Sequence, residues 1–75
     1  MSKHKHNQEL TLQELDDAEI GMEVLDWEND TLVKEAKDEW FYRDQPMRGN
    51  VKHAFSSLII HRAYGPIRFM SDGRH

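Results

Sequence analysis

The sequence predicts a small all-α protein of three helices. These form a helical hairpin followed by a C-terminal apolar helix, with flexible N- and C-terminal tails and an oligomeric state. Three observations carry that expectation. Apolar residues recur at spacings of three and four along residues 12–43, as on one face of a helix. Thr11-Leu-Gln-Glu14 has the form of a capping box, in which the threonine hydroxyl and the glutamate each accept a free N–H of the first turn. Residues 50–65 are the densest apolar stretch and are bounded like a helix, with Asn50 as N-cap and Gly65-Pro66 as the stop.

In chain order, residues 1–9 read as a disordered polar tail, residues 10–70 as one helical domain and residues 71–75 as a second tail. The first helix is expected over residues 12–27, with Leu15, Ala18, Met22 and Leu25 as its core stripe and Leu10 stapled onto Leu15. Gly21 inside it costs up to ~1 kcal/mol against alanine, which calls for a close neighbour or a bend. Residues 27–31 read as a break. Asp30 or Thr31 then caps a second helix over residues 32–43, with Leu32, Val33, Ala36 and Trp40 in line. The alternative is one helix over 12–43 with a heptad-like seam and Asn29 in a core position.

Pro46 and Gly49 mark a connector. In the third helix, over residues 50–64, Val51, Ala54, Phe55 and Leu58 form one stripe, and Ile59, Ile60, Ala63 and Tyr64 spread around the rest. His61 and Arg62 suit the helix C-terminus, and Gly65 suits a left-handed closing residue. The rival is a strand over 57–64, since Leu58-Ile59-Ile60 favours β structure. Residues 65–70 read as extended, with Ile67, Phe69 and Met70 either clipping the tail onto the bundle or forming a short exposed recognition segment.

At 75 residues the chain is a single domain, too small to be robust without help. It has no cysteine, which excludes disulfides and thiolate zinc sites and leaves association as the remaining support. A homodimer is therefore expected, with Phe55, Leu58, Ile59, Ile60 and Tyr64 at its interface. The longest aliphatic run, Leu58-Ile59-Ile60, is far short of a bilayer span, and no hydrophobic segment follows the basic N-terminus. A cytoplasmic location is expected.

Charge is strongly segregated. Residues 1–8 carry +2, residues 9–44 hold thirteen acids against Lys34, Lys37 and Arg43, and residues 45–75 carry +4. Such a layout implies either neutralisation within the fold or an acidic face aimed at a basic partner.

Specific chemistry is sparse. A free Ser2-Lys3-His4 terminus could wrap Cu(II) or Ni(II), with His6 assisting, but it reads as an ordinary polar tail. His53, Ser57 and His61 fall in a row at helical spacing without an orienting acid or an oxyanion site. Asp26, Glu28 and Asp30 open like a calcium loop, but Thr31 and Lys37 stand where its glycine and its bidentate glutamate belong. The pairs Glu19/Glu23 and Glu35/Glu39 lack the histidines of a di-metal bundle. No cofactor or metal is expected.

Trp40-Phe41-Tyr42 is the sharper signal, because three successive aromatics cannot all face one core from a helix. The expectation is a non-catalytic regulatory or inhibitory protein, not an enzyme. It would bind another protein, one that itself handles nucleic acid, through Glu28, Asp30, Glu35 and Asp38, with Trp40, Phe41 and Tyr42 as anchors. The alternatives are a DNA-binding regulator using Lys52, Arg62 and Arg68, and a small structural subunit of a larger assembly.

Overall fold

Over residues 21–26 and again over 31–34 the chain alternates its burial with a period of two. Val24 is buried between half-buried Glu23 and Leu25; Leu32 and Lys34 are buried where Thr31 and Val33 are half-exposed. In the computed structural model, which describes residues 4–44 and 53–73, these segments are strands. The elements in order are α1 (Leu12–Asp17), β1 (Glu23–Leu25), β2 (Thr31–Ala36), β3 (Glu39–Tyr42), α2 (Ser57–Ala63) and β4 (Arg68–Ser71). The strands form one antiparallel sheet in the order β3-β2-β1-β4. The protein is therefore a mostly β domain with two short helices, and the all-α expectation is wrong.

Each expected helix is corrected in turn. The first, over 12–27, stops at Asp17, because Ala18 is already extended (ψ 143°) and Gly21 lies at φ +102°. The second, over 32–43, is the β2–β3 hairpin, turned at Lys37 and Asp38, and the single helix over 12–43 fails with it. Asn29, assigned to a core seam, sits exposed in a turn at φ +67°. The third begins at Ser57 with Ser56 as its cap, so the strand alternative for 57–64 fails as well. The Asn50 cap and the 45–49 connector lie outside the described residues.

Gly65 does not close α2 in the left-handed region. Its need for glycine is a close approach instead: a Cβ there would stand 2.6 Å from the His61 carbonyl oxygen. Gly21 lies outside any helix, and what calls for glycine there is its φ of +102°, since a Cβ on it would meet only the Asp72 carbonyl oxygen, at 3.7 Å. Gly73 packs so tightly against Gly21 that a Cβ on Gly73 would meet the Gly21 carbonyl oxygen at 1.9 Å.

Strand geometry resolves the crowding of aromatics. Trp40 and Tyr42 share one face of β3, paired across to Lys34 and Leu32, while Phe41 points to the other face beside Val33. Val24, Leu32, Trp40 and Phe69 supply the sheet's side of the core. Leu15 of α1 and Ile60 of α2 close over it, with Leu10, Met22 and Ile67 from the connecting segments. Ile60, expected at an oligomer interface, is fully buried within this core.

Both outer strands meet further chain. Residues 7–10 run antiparallel to β4, with Asn7 N–H donating to Phe69 O, Phe69 N–H to Gln8 O and Leu10 N–H to Ile67 O, each at 2.8 Å. These residues fall largely within the expected polar tail. On the opposite edge, Trp40 and Phe55 exchange a pair of backbone hydrogen bonds at 2.8 and 2.9 Å.

One core position is a lysine. Lys34 is 2% exposed. Its ammonium donates to the carbonyl oxygens of Leu15, Asp16 and Ala18 at 3.0, 3.0 and 2.8 Å. These are carbonyls at the end of α1, where intrahelical partners run out. All three ammonium protons are thereby used. The stem fills apolar space, and the charge lies 5.8 Å from the Trp40 ring centre.

The start of α1 is held by the expected capping box: Glu14 N–H donates to Thr11 Oγ1 at 3.1 Å, and Thr11 N–H to Glu14 Oε1 at 2.9 Å. The second bond, chiefly, holds the Glu14 carboxyl below its ordinary value of 4.5.

Two outcomes follow for stability. Lys34→Met keeps the stem volume but removes the ammonium from the carbonyls of Leu15, Asp16 and Ala18, and is expected to cost about 2–3 kcal/mol in urea unfolding. Faster hydrogen exchange in α1 should accompany it. For Glu14 the folded value is depressed, so its contribution is present above pH 4.5 and fades as pH falls through the lowered value. Glu14→Gln should therefore be less stable than wild type at neutral pH, and the gap should close on acidification, as read from thermal midpoints across an acid series.

Candidate functional site

The turn between β1 and β2 is built around one carboxylate. Asp26 is 2% exposed. Its Oδ1 accepts the N–H groups of Glu28 at 2.8 Å and Asp30 at 2.9 Å, an Asx-type arrangement that shapes residues 26–30. Its Oδ2 accepts the Tyr42 hydroxyl at 2.7 Å, tying the turn to the end of β3. From below, the Arg68 guanidinium donates to the Asp26 carbonyl and to the Asn29 side chain. Trp27 N–H donates to the Tyr64 carbonyl at 2.9 Å and joins the turn to the end of α2.

A cleft of about 550 Å³ opens over this turn. Its acidic lining is Asp26, Glu28 and Asp30 from the turn and Asp44 just beyond β3. Its aromatic lining is Trp27, Tyr42 and Tyr64, with Thr31 and Ala63 completing the wall. The size falls within the range of ligand-binding clefts. Glu28, Asp30 and Asp44 are exposed, and the Trp27 side chain is 59% exposed at the mouth.

The aromatic side is braced. Tyr42, Phe55 and Tyr64 meet edge to face in a closed set, with ring centres 5.7, 6.1 and 5.5 Å apart and planes at 76–86°. Burial, together with the adjacent Asp26 carboxylate, pushes the Tyr42 phenol well above its ordinary value of 10. The hydroxyl is thus a fixed donor to Asp26. A lining of carboxylates and aromatic rings has the chemistry to receive a cation, by charge and by the ring faces.

The residues singled out in the sequence separate into groups. Glu28, Asp30 and Tyr42 come together in the cleft. Trp40 is fully buried, its indole N–H donating to Ser57 Oγ at 2.9 Å. Asp38 turns inward to accept the Ser57 N–H at 2.8 Å, linking the β2–β3 turn to the start of α2. Glu35 is exposed beside the bulge in β2, and Phe41 lies half-buried on the far face of the sheet. Of the proposed oligomer contacts, Leu58 and Ile59 are exposed, and Phe55 and Tyr64 belong to the aromatic set. Of the basic residues, Arg62 is exposed, Arg68 is engaged beneath the turn, and Lys52 lies outside the described residues, as do Ser2 and Lys3. His53, Ser57 and His61 do not form a row, since His53 precedes α2 and the Ser57 hydroxyl is committed to Trp40.

From the sequence, Asp26 enters only as part of a discarded calcium loop, and neither Trp27 nor Asp44 is selected for binding. The signal for Asp26 and Trp27 was an Asp-to-Asn-Asp turn standing between two alternating runs, a pattern of hairpins rather than of helix breaks.

Tyr42→Phe tests the tie between turn and strand. It leaves Asp26 Oδ2 without its donor and is expected to cost about 1 kcal/mol at neutral pH. The phenol's raised folded value means its contribution is present below pH 10 and is lost as pH rises beyond it. The variant should accordingly lose stability less steeply than wild type above pH 10, as read from urea unfolding at stepped alkaline pH. Among the described residues no helix is long and apolar enough to cross a membrane. In comparisons with known proteins, the chain matches no family model, no curated protein and no solved structure.

Proposed function

We propose that this chain is a non-catalytic binding protein that regulates another protein by docking a basic part of its surface. The observation that supports this reading is the convergence of four carboxylates and three aromatic rings on one concave surface. Acidic residues that merely solubilise a surface have no reason to gather with an exposed tryptophan. Here the Asp26 hydrogen bonds set the backbone that presents them. A preformed contact surface loses less ordering entropy on association than a mobile one. The negative field also speeds encounter with a basic partner.

The expected acidic surface of two helices is thus replaced by an acidic turn and an aromatic wall. Glu28, Asp30 and Tyr42 keep a place in the contact, joined by Trp27, Asp44 and Tyr64. Glu35 and Asp38 do not line it.

The test is capture from a lysate of the source cells at low salt, comparing wild type with the triple variant E28Q/D30N/D44N. All three side chains are exposed, so the fold should tolerate their neutralisation. A protein retained by wild type should be released as ionic strength rises through the range where the Debye length drops to about 8 Å or less. The variant should retain at least about tenfold less of it, the effect of roughly 1.4 kcal/mol across three rim charges. Retention that is indifferent to both salt and the triple variant would overturn the reading.

A further inference from the structure

We propose that the residue received by the cleft is an arginine of the partner protein, and that an apolar residue next to that arginine lies on a strip formed by Trp27, Ala63 and Ile59. This rests on the binding-protein reading above. Ile59 is 47% exposed on α2, and Ala63, exposed one turn further on, lies on the same helix face. Ala63 and Trp27 both line the cleft, so Ile59 stands one helical turn from a residue of the cleft wall. A lone cation would fill the acidic end and leave this strip in water. A peptide segment with a basic and an apolar side chain in succession covers both.

Arginine fits the acidic end better than lysine. Its guanidinium is planar and weakly hydrated, and can lie on an aromatic face while its edge donates to carboxylates. Trp27, well exposed in the cleft lining, supplies an aromatic face, and Glu28, Asp30 and Asp44 supply acceptors. A lysine ammonium is a compact point charge that must shed a tighter water shell for the same contacts. Nucleic acid is disfavoured by the same carboxylates, which repel phosphate. An exposed tryptophan on a turn braced by the Asp26 carboxylate is also the residue type that most often dominates a protein contact.

The experiment is an NMR titration of the full chain with capped tetrapeptides, Ac-Gly-Leu-Arg-Gly-amide and Ac-Gly-Arg-Leu-Gly-amide, against the same peptides carrying lysine or norleucine in place of arginine. At least one arginine peptide should shift the amides of residues 26–31, 42 and 63–64 saturably. The lysine version should bind about threefold or more weaker, and the norleucine version should give no saturable shift. Ile59→Ser, at an exposed position, should weaken the leucine-bearing peptide about threefold while leaving a Gly-Arg-Gly peptide unchanged. Equal binding of lysine and arginine peptides, shifts outside the cleft, or no effect of Ile59→Ser would each overturn the proposal. So would a dimer in sedimentation that Trp27→Ala dissolves, since a second copy would then be the occupant. If the arginine peptides fail while lysate capture still depends on Glu28, Asp30 and Asp44, only the arginine assignment falls. If capture is also indifferent to those residues, both fall.

Discussion

The hydrogen bonding of one buried ammonium group decides how the two layers of this protein meet. Lys34 stands on the core face of β2, where the strand's alternation calls for an apolar side chain. A buried charge is tolerated only when paired or fully hydrogen-bonded. The carbonyl oxygens at the end of α1 meet that need. The dependence is mutual, because a helix of six residues does not hold together in water unaided. The position of α1 is therefore set by β2. The second helix hangs from the same hairpin by polar bonds of its own, from Trp40 to the Ser57 hydroxyl and from the Ser57 N–H to Asp38. The β2–β3 hairpin is in this sense the frame, and each helix is attached to it by side-chain hydrogen bonds.

The cleft repeats the device at the other end of the hairpin. A buried carboxylate organises the turn that presents Trp27, Glu28 and Asp30, and the Tyr42 hydroxyl anchors that carboxylate to β3. The carboxylates at the rim are free to face solvent because the shape beneath them comes from Asp26 and the backbone. Structure and recognition are thus divided between neighbouring residues of one short turn.

The cap of α1 was legible in the sequence, and the long-range pairing was not. The Thr11–Glu14 cap depends on four adjacent residues and forms as its pattern implies. The strands were obscured by a coincidence of spacing. Leu32, Val33, Ala36 and Trp40 make a passable helical stripe only if Lys34 is assigned to the surface. Once Lys34 is placed inside, Leu32 and Lys34 alternate with Thr31 and Val33, and β structure follows. What hid the pattern is that lysine is almost never buried, and its partners lie sixteen to nineteen positions away. The three consecutive aromatics carried the opposite signal, since β3 can place Trp40 and Tyr42 on one face and Phe41 on the other. For the cleft, the charge of Glu28 and Asp30 and the aromatic character of Tyr42 were visible, whereas Asp44 and Tyr64 join them only through the fold.

The pairing of residues 7–10 with β4 has a consequence for assembly. An outer strand with unpaired amides is a template on which other chains polymerise, and native sheets shield such edges. Here the strand that occludes β4 comes from the opposite end of the sequence and is held by three backbone hydrogen bonds and the burial of Leu10. It works as a guard on that edge. Chains shortened before Leu10, or fused to a tag that pulls this segment away, would offer Arg68–Ser71 as a seed for strand-by-strand growth into fibres.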